Sequence, residues 1–148
     1  MNVPFEAIIA EPSDIPAWLD LVTRVSDSFP GLDMADYAET LKKNIARKTA
    51  LRVKSGDKMA GVLLFSPARR QLSFLATDPA CRRCGVASSL MAKMLELMPE
   101  GDIAVTTFRE DDEKGTAPRA LYRRFGFVPA ELFFEFDYPV QRFVLHRN

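Results

Sequence analysis

Several residue types that usually announce a site are scarce in this chain of 148 residues. There is one histidine, His146, close to the C-terminus, and only one pair of cysteines, Cys81 and Cys84. A zinc centre lacks ligands, and no histidine is placed to act as a general base. Two cysteines are too few for a disulfide framework. Net charge is absent: twenty basic residues face twenty acidic ones. A general nucleic-acid binder would show a basic excess, so nucleic acid is not expected as a partner. Long apolar runs are missing too, which excludes a membrane-spanning helix. The first residues, MNVPFEAIIAEPSD, have no basic region and carry Glu6 and Glu11 among the apolar ones. They do not read as a signal peptide, and a cytoplasmic location is expected. No repeat, low-complexity tract or linker divides the chain, so residues 1–148 are expected to form one domain.

What is present centres on Leu72 to Met98, LSFLATDPACRRCGVASSLMAKMLELM. It reads as a strand, a turn bearing Arg and Gly, and a long amphipathic helix. The turn has the spacing R-x-x-G-x-A through Arg82, Gly85 and Ala87. A helix entered through small residues aims unpaired backbone N–H groups, and the positive end of its dipole, at whatever lies before it. A phosphate suits that position. Gly85 and Ala87 let a ligand approach the backbone closely, and Arg82 and Arg83 add two permanent positive charges.

Around this stretch the remaining elements follow from periodicity. Phe5–Ala10 is a short strand; Ser13 caps a helix carrying Ile15, Trp18, Leu19, Val22 and Val25; Asp33 caps a second with Met34, Tyr37, Leu41 and Ile45. Residues 50–54 alternate as a half-buried strand, and Ser55–Lys58 is a hairpin turn. Residues 59–66, continuously apolar, suit a central strand covered on both faces. In Gln71–Thr77 the alternation breaks at Leu75, as a bulge or a two-sided strand would make it. Val86, Leu90, Met94 and Leu97 stripe the long helix, with Met91, Leu95 and Met98 beside them. Ile103–Phe108 is a strand, REDDEKG a charged loop, and Thr116 caps a short helix stopped by Gly126. Residues 128–138 hold a strand centred on FFEFD, and residues 142–146 close the sheet. The order β-α-α-β-β-β-α-β-α-β-β predicts an α/β (α+β) fold. Its sheet should be mixed, largely antiparallel and about seven-stranded, with helices on both faces.

At this point the residues resemble a family. FLATDPACRRCGVASSLM is similar to the acyl-CoA-binding motif of the GNAT superfamily, the acyl-CoA-dependent N-acetyltransferases: strand, Pro, then [RQ]-x-x-G-x-[GA]. Leu121-Tyr122-Arg123-Arg124-Phe125-Gly126-Phe127 is similar to that family's L-Y-x-x-x-G-F. The two lie in the family's order, and its element order fits the whole chain.

The resemblance implies acetyl-CoA as acyl donor and a primary amine as acceptor, attacking directly in a cleft between strands 71–77 and 103–108. It implies pantetheine contacts along Leu75, Ala76 and Thr77, and a pyrophosphate held by the backbone from Arg82 and Arg83 through Cys84, Gly85, Val86, Ala87 and Ser88. Tyr122 would be the general acid for the departing thiolate, and Arg123 would reach the 3′-phosphate. The acceptor would meet Phe29, Asp33 and Tyr37, between the first two helices. Two positions depart from the pattern: Gly115 stands where many members have Asn, and Pro118 where many have Ala.

Other readings stay open beside these. Tyr122 also suits packing, and Arg123 solubility. The acidic loop from Glu110 to Glu113 reads as solvated, or as an attractor for a cationic amine with Glu110 as its base. Cys81-Arg82-Arg83-Cys84 is a C-x-x-C at a helix N-terminus, an environment that lowers thiol pKa, so a redox role is a further reading. A non-catalytic acyl-CoA sensor on the same fold is the alternative to an enzyme, and a homodimer is compatible with either.

Overall fold

The computed structural model describes residues 5–81 and 84–147. Seven strands form one sheet in the order β1-β2-β3-β4-β5-β7-β6, so the α/β expectation holds. The chain divides into two compact units, Met1–Phe65 with Phe74–Leu97, and Ser66–Ser73 with Met98–Asn148.

The first unit contains β1 (Ile8–Ile9), α1 (Ile15–Arg24), α2 (Met34–Ala46), β2 (Ala50–Ser55), most of β3 (Lys58–Ser66), the second half of β4 (Gln71–Thr77) and α3 (Val86–Leu97). β1, β2 and β3 run antiparallel. β3 is buried from Met59 to Phe65 because helices cover both its faces. Val62 and Leu64 join a core with Trp18, Leu21 and Val22 of α1 and Leu41 and Ile45 of α2. Gly61 faces Val86 and Leu90 of α3 on the other side. The stripe of α3 is buried at Val86, Leu90, Met91 and Met94, while Leu97 is exposed. In β4, Leu72 and Ala76 are buried, Phe74, Leu75 and Thr77 are half-buried, and Ser73 is exposed.

The helix starts differ from expectation. α1 is entered through a single 3₁₀ turn, Pro12–Asp14, and the carboxylate of Asp14 accepts from Glu11 N–H (2.9 Å). Asp14 is buried and also meets Arg52 (3.4 Å) and Lys54 (3.2 Å). Ser13 therefore lies inside the turn rather than capping the helix. Asp33 does cap α2, accepting from Asp36 N–H at 3.0 Å.

The second unit contains the start of β4, β5 (Ile103–Phe108), α4 (Thr116–Arg124), β6 (Val128–Glu135) and β7 (Tyr138–Leu145). β4 and β5 are parallel, through Gln71↔Ala104 and Leu72↔Val105; β7 is antiparallel to both β5 and β6. Thr116 is the first residue of α4, not its cap. The preceding 3₁₀ turn is capped instead by Asp112, which accepts from Lys114 N–H (3.0 Å).

The largest difference is at the C-terminal hairpin. β6 ends at Glu135 and β7 begins at Tyr138, earlier than expected. The connecting residues, Phe136 (φ 52°) and Asp137 (φ 61°), are both left-handed. That is the backbone of a tight two-residue hairpin turn, normally signalled by Asn-Gly.

Candidate active site

In the first unit, the site is built at the end of β4. Asp78 follows Thr77, and its N–H donates to Ala60 O (2.8 Å), extending the strand by one bond. Its carboxylate is 2% exposed. It accepts from Ala80 N–H (2.9 Å), from Arg24 Nη1 (3.0 Å) and from Lys58 Nζ (3.2 Å). Its carbonyl takes Cys81 N–H (2.8 Å), closing the 3₁₀ turn Pro79–Cys81. One buried acid thus ties the turn to the end of α1 and to the β2–β3 hairpin.

Burial alone would raise the pKa of Asp78. The Ala80 N–H, Arg24 and Lys58 outweigh it and bring the carboxyl down from the ordinary 3.8 to about 2. A depressed acid contributes stability that is present above its unfolded value and lost as the pH falls through its folded value, here worth about 2 kcal/mol. Asp78→Asn should therefore be less stable than wild type near neutral pH. Chemical denaturation at a series of pH values should show the gap closing between about pH 4 and pH 2. A gap independent of pH would show that the charge is not what stabilises the turn.

Arg82 and Arg83, expected beside the anion, lie outside the described residues. Beyond them, Cys84 is exposed, and Cys81 before them is half-buried. Gly85 has φ +87°, and a Cβ built there meets nothing within 4 Å. The left-handed backbone therefore opens its bare Cα to free space at the start of the twelve-residue helix α3. Ser89 N–H and Oγ both donate to Gly85 O (2.9 Å each), the hydroxyl doubling the i→i−4 backbone bond. Val86 is buried with its side chain in the core, so it can serve a ligand only through its N–H; Ala87 and Ser88 are half-buried.

Gly61 places this helix start. A Cβ at Gly61 would lie 2.4 Å from Val86 Cγ1 and 3.1 Å from Leu90 Cδ1. α3 packs where it does because β3 has no side chain there. Neither Gly61 nor Asp78 was singled out from sequence. A lone glycine inside an apolar strand was the available signal for the first, and an Asp-Pro step at a strand end for the second.

Also in this unit, Phe29 and Tyr37 pack against Phe74, with ring centroids at 4.5 and 4.9 Å. Tyr37 is buried, and its hydroxyl accepts from Trp18 Nε1 at 2.8 Å. That phenol is engaged in the core. Asp33 is exposed, and one of its oxygens serves the α2 cap.

In the second unit, the tyrosine motif has a local physical meaning. Gly126 (φ +92°) follows α4 in the left-handed conformation. Gly126 N–H donates to Arg123 O (3.0 Å) and Phe127 N–H to Tyr122 O (3.0 Å). These are the two bonds of a Schellman helix cap. Its accompanying apolar contact is between Tyr122 and Phe127, with centroids 5.8 Å apart. The spacing Y-x-x-x-G-F is therefore what a capped helix end needs to clamp this tyrosine. Phe143 packs on Tyr122 as well, at 6.1 Å. Tyr122 is 5% exposed, and burial pushes its phenol well above the ordinary 10. Its hydroxyl makes no hydrogen bond to any of the described residues.

Arg123 is exposed, its guanidinium 5.7 Å from the Phe143 ring. Arg119 is buried, stacked on the same ring (4.7 Å), and donates to Phe108 O (3.0 Å) and Gln141 Oε1 (2.8 Å). Gly115 is buried, and a Cβ there would come within 2.9 Å of Phe108 Cβ and 3.2 Å of Arg109 O. An Asn does not fit at this position without moving the backbone, which explains the departure from the family pattern.

Glu110 is exposed on the acidic loop. Asp112 is not free for an amine in the same way. It accepts a short bond from Tyr138 Oη (2.5 Å), which, ahead of the Lys114 N–H, lowers its pKa and raises that of Tyr138. No group of ligands that could hold a metal ion occurs among the described residues. No helix among them is long and apolar enough to cross a membrane.

Known proteins share this fold. No curated protein sequence matches the chain. The crystal structure of a GNAT acetyltransferase from Bacillus cereus is similar, with 20% identity, TM-score 0.77 and 99% of each chain covered. Ard1 from Thermoplasma volcanium is similar at 18% identity and TM-score 0.78, again over 99% of each chain. RimL, a ribosomal L7/L12 alpha-N-protein acetyltransferase solved with coenzyme A, is similar at 17% identity and TM-score 0.72, over 99% of this chain and 96% of its own. The model of the acetyltransferase (GNAT) family matches residues 17–127. The chain thus belongs to the GNAT family of acetyltransferases and is an acyltransferase with acetyl-CoA as its acyl donor.

Proposed function

We propose that this enzyme transfers the acetyl group of acetyl-CoA to a primary amine of a small molecule or peptide by direct attack. The observation that carries the reading is Tyr122, clamped by the α4 cap and kept protonated by burial. When bound, acetyl-CoA supplies the activated thioester. The backbone from Cys84 to Ser88, with Arg82 and Arg83, holds its pyrophosphate; the open Cα of Gly85 is the cradle that supports this. The backbone of Leu75, Ala76 and Thr77 orients the pantetheine arm, and Arg123 meets the 3′-phosphate. Tyr122 gives its proton to the departing sulfur. Glu110, exposed and anionic, draws the ammonium form of the acceptor and takes its proton. Phe29 and Asp33 contact the acceptor, with Tyr37 behind them as their packed support. The enzyme acts in the cytoplasm.

A panel of amines with acetyl-CoA, followed by release of free thiol, tests the reading. Thiol release that depends on a primary amine is expected. Tight acetyl-CoA binding with no amine-dependent release from a wide panel would overturn it in favour of a non-catalytic sensor.

A further inference from the structure

Arg119 is a permanent charge, 7% exposed, that forms no ion pair among the described residues. Burying a cation without a counter-ion costs stability, and an apolar residue of similar size would often serve the fold as well. What the guanidinium supplies instead is geometry. Its Nη1 donates to the backbone O of Phe108, the last residue of β5, and to Gln141 Oε1 on β7. These acceptors are neighbours on the β5–β7 ladder, where Thr107 lies opposite Gln141 and Phe108 opposite Val140. The same guanidinium lies over the ring of Phe143, two residues beyond Gln141 and so on the same face of β7. The bonds hold the group along the sheet, and the ring holds its height above it. A lysine offers no plane to stack. Gly115 leaves room for this arm: a Cβ there would come within 3.1 Å of Arg119 Cδ.

We propose that Arg119 is the positioning residue for Tyr122, fixing α4 on the sheet so that the phenol hydroxyl stands where the departing thiolate needs its proton. The inference rests on the reading of Tyr122 as general acid. Arg119 and Tyr122 are three residues apart on α4, so they share one face of the helix, and both pack on Phe143. With no hydrogen bond to a described residue, the Tyr122 hydroxyl takes its place from the helix and from the rings around its own. The Schellman cap and Phe127 fix the end of α4 that follows Tyr122. Arg119 fixes the turn that precedes it. Arg123 also lies beside Phe143, but it is exposed and donates to no described residue, so it does not share the task. A displacement of about 1 Å in a reacting group can cost on the order of 100-fold in rate, which is why the anchoring matters.

Arg119→Met keeps an apolar arm of similar length and removes both hydrogen bonds and the stacked charge. With the best amine of the panel, it is expected to lower kcat by about tenfold, and to change the KM for acetyl-CoA by no more than about twofold. The same substitution is then made in the Tyr122→Phe enzyme. With no hydroxyl left to position, it should there change kcat by no more than about twofold. An equal loss in both backgrounds would make Arg119 a purely structural residue and overturn the proposal, as would wild-type turnover in Arg119→Met. If the methionine variant fails to fold, Arg119→Lys carries the same cycle, keeping the charge without the stacked plane. It should lose turnover only where Tyr122 is present, and wild-type turnover in it would overturn the proposal. The two readings fail separately. A Tyr122→Phe enzyme as fast as wild type removes the general acid itself, whereas a slow Tyr122→Phe beside an unaffected Arg119→Met removes only the positioning.

Discussion

Tyr122→Phe is expected to lower kcat for acetyl transfer by about 100-fold or more, the usual worth of a positioned general acid. The KM for acetyl-CoA should change by no more than about twofold, because the ring that packs against Phe127 and Phe143 is retained. Only the hydroxyl is removed, and it makes no hydrogen bond to the described residues, so stability should hardly move. Steady-state kinetics with thermal unfolding measures all three quantities. Because burial raises this phenol above its ordinary value, the wild type should also show no alkaline loss of kcat attributable to Tyr122 below about pH 10. Equal turnover in the two proteins would remove Tyr122 from the chemistry and leave it a helix clamp.

Gly61→Ala is expected to have the other large effect, through a methyl group remote from any reacting atom. The new Cβ would sit 2.4 Å from Val86 Cγ1, far inside contact distance. Overpacking of this kind costs about 1–3 kcal/mol. Here the relief comes from moving Val86, the first residue of α3, and the N–H groups proposed to hold the pyrophosphate move with it. Affinity for acetyl-CoA should fall along with stability. The companion change Val86→Ala removes the colliding methyl, so the double variant should recover much of both. Denaturation and acetyl-CoA binding measured on the four proteins of the cycle test this. Strictly additive losses would show that the clash is not what couples β3 to the turn.

Much of the architecture was legible because it is written in apolar spacing. The stripe of α3 and the two-sided burial of β3 follow from side chains that must leave water, and both were read at the right positions but for Leu97, which is exposed. The tyrosine motif was legible as a pattern, but its cause was not. That Gly126 and Phe127 complete a helix cap around Tyr122 is visible only in the bonds to Arg123 O and Tyr122 O. Asp78 and Gly61 were missed for a common reason. Each is defined by what approaches it from elsewhere along the chain: Arg24 and Lys58 for Asp78, and Val86 for Gly61. Local sequence carries no mark of such neighbours. The early end of β6 was missed because Phe136 and Asp137 carry no conventional turn signal.

That last turn bears on the order of events in folding. Hairpins of sequence-adjacent strands usually close within microseconds when the turn residues favour the bend. Here both central residues must enter the left-handed region, at roughly 1–2 kcal/mol each for ordinary side chains. The turn therefore opposes the hairpin early on, when only local contacts exist. The β6–β7 pair gains its hold once β7 is laid against β5, through the six-residue ladder from Ile103↔Leu145 to Phe108↔Val140. Although adjacent in sequence, β6 is expected to be a late strand, its closure waiting on a partner that is distant along the chain.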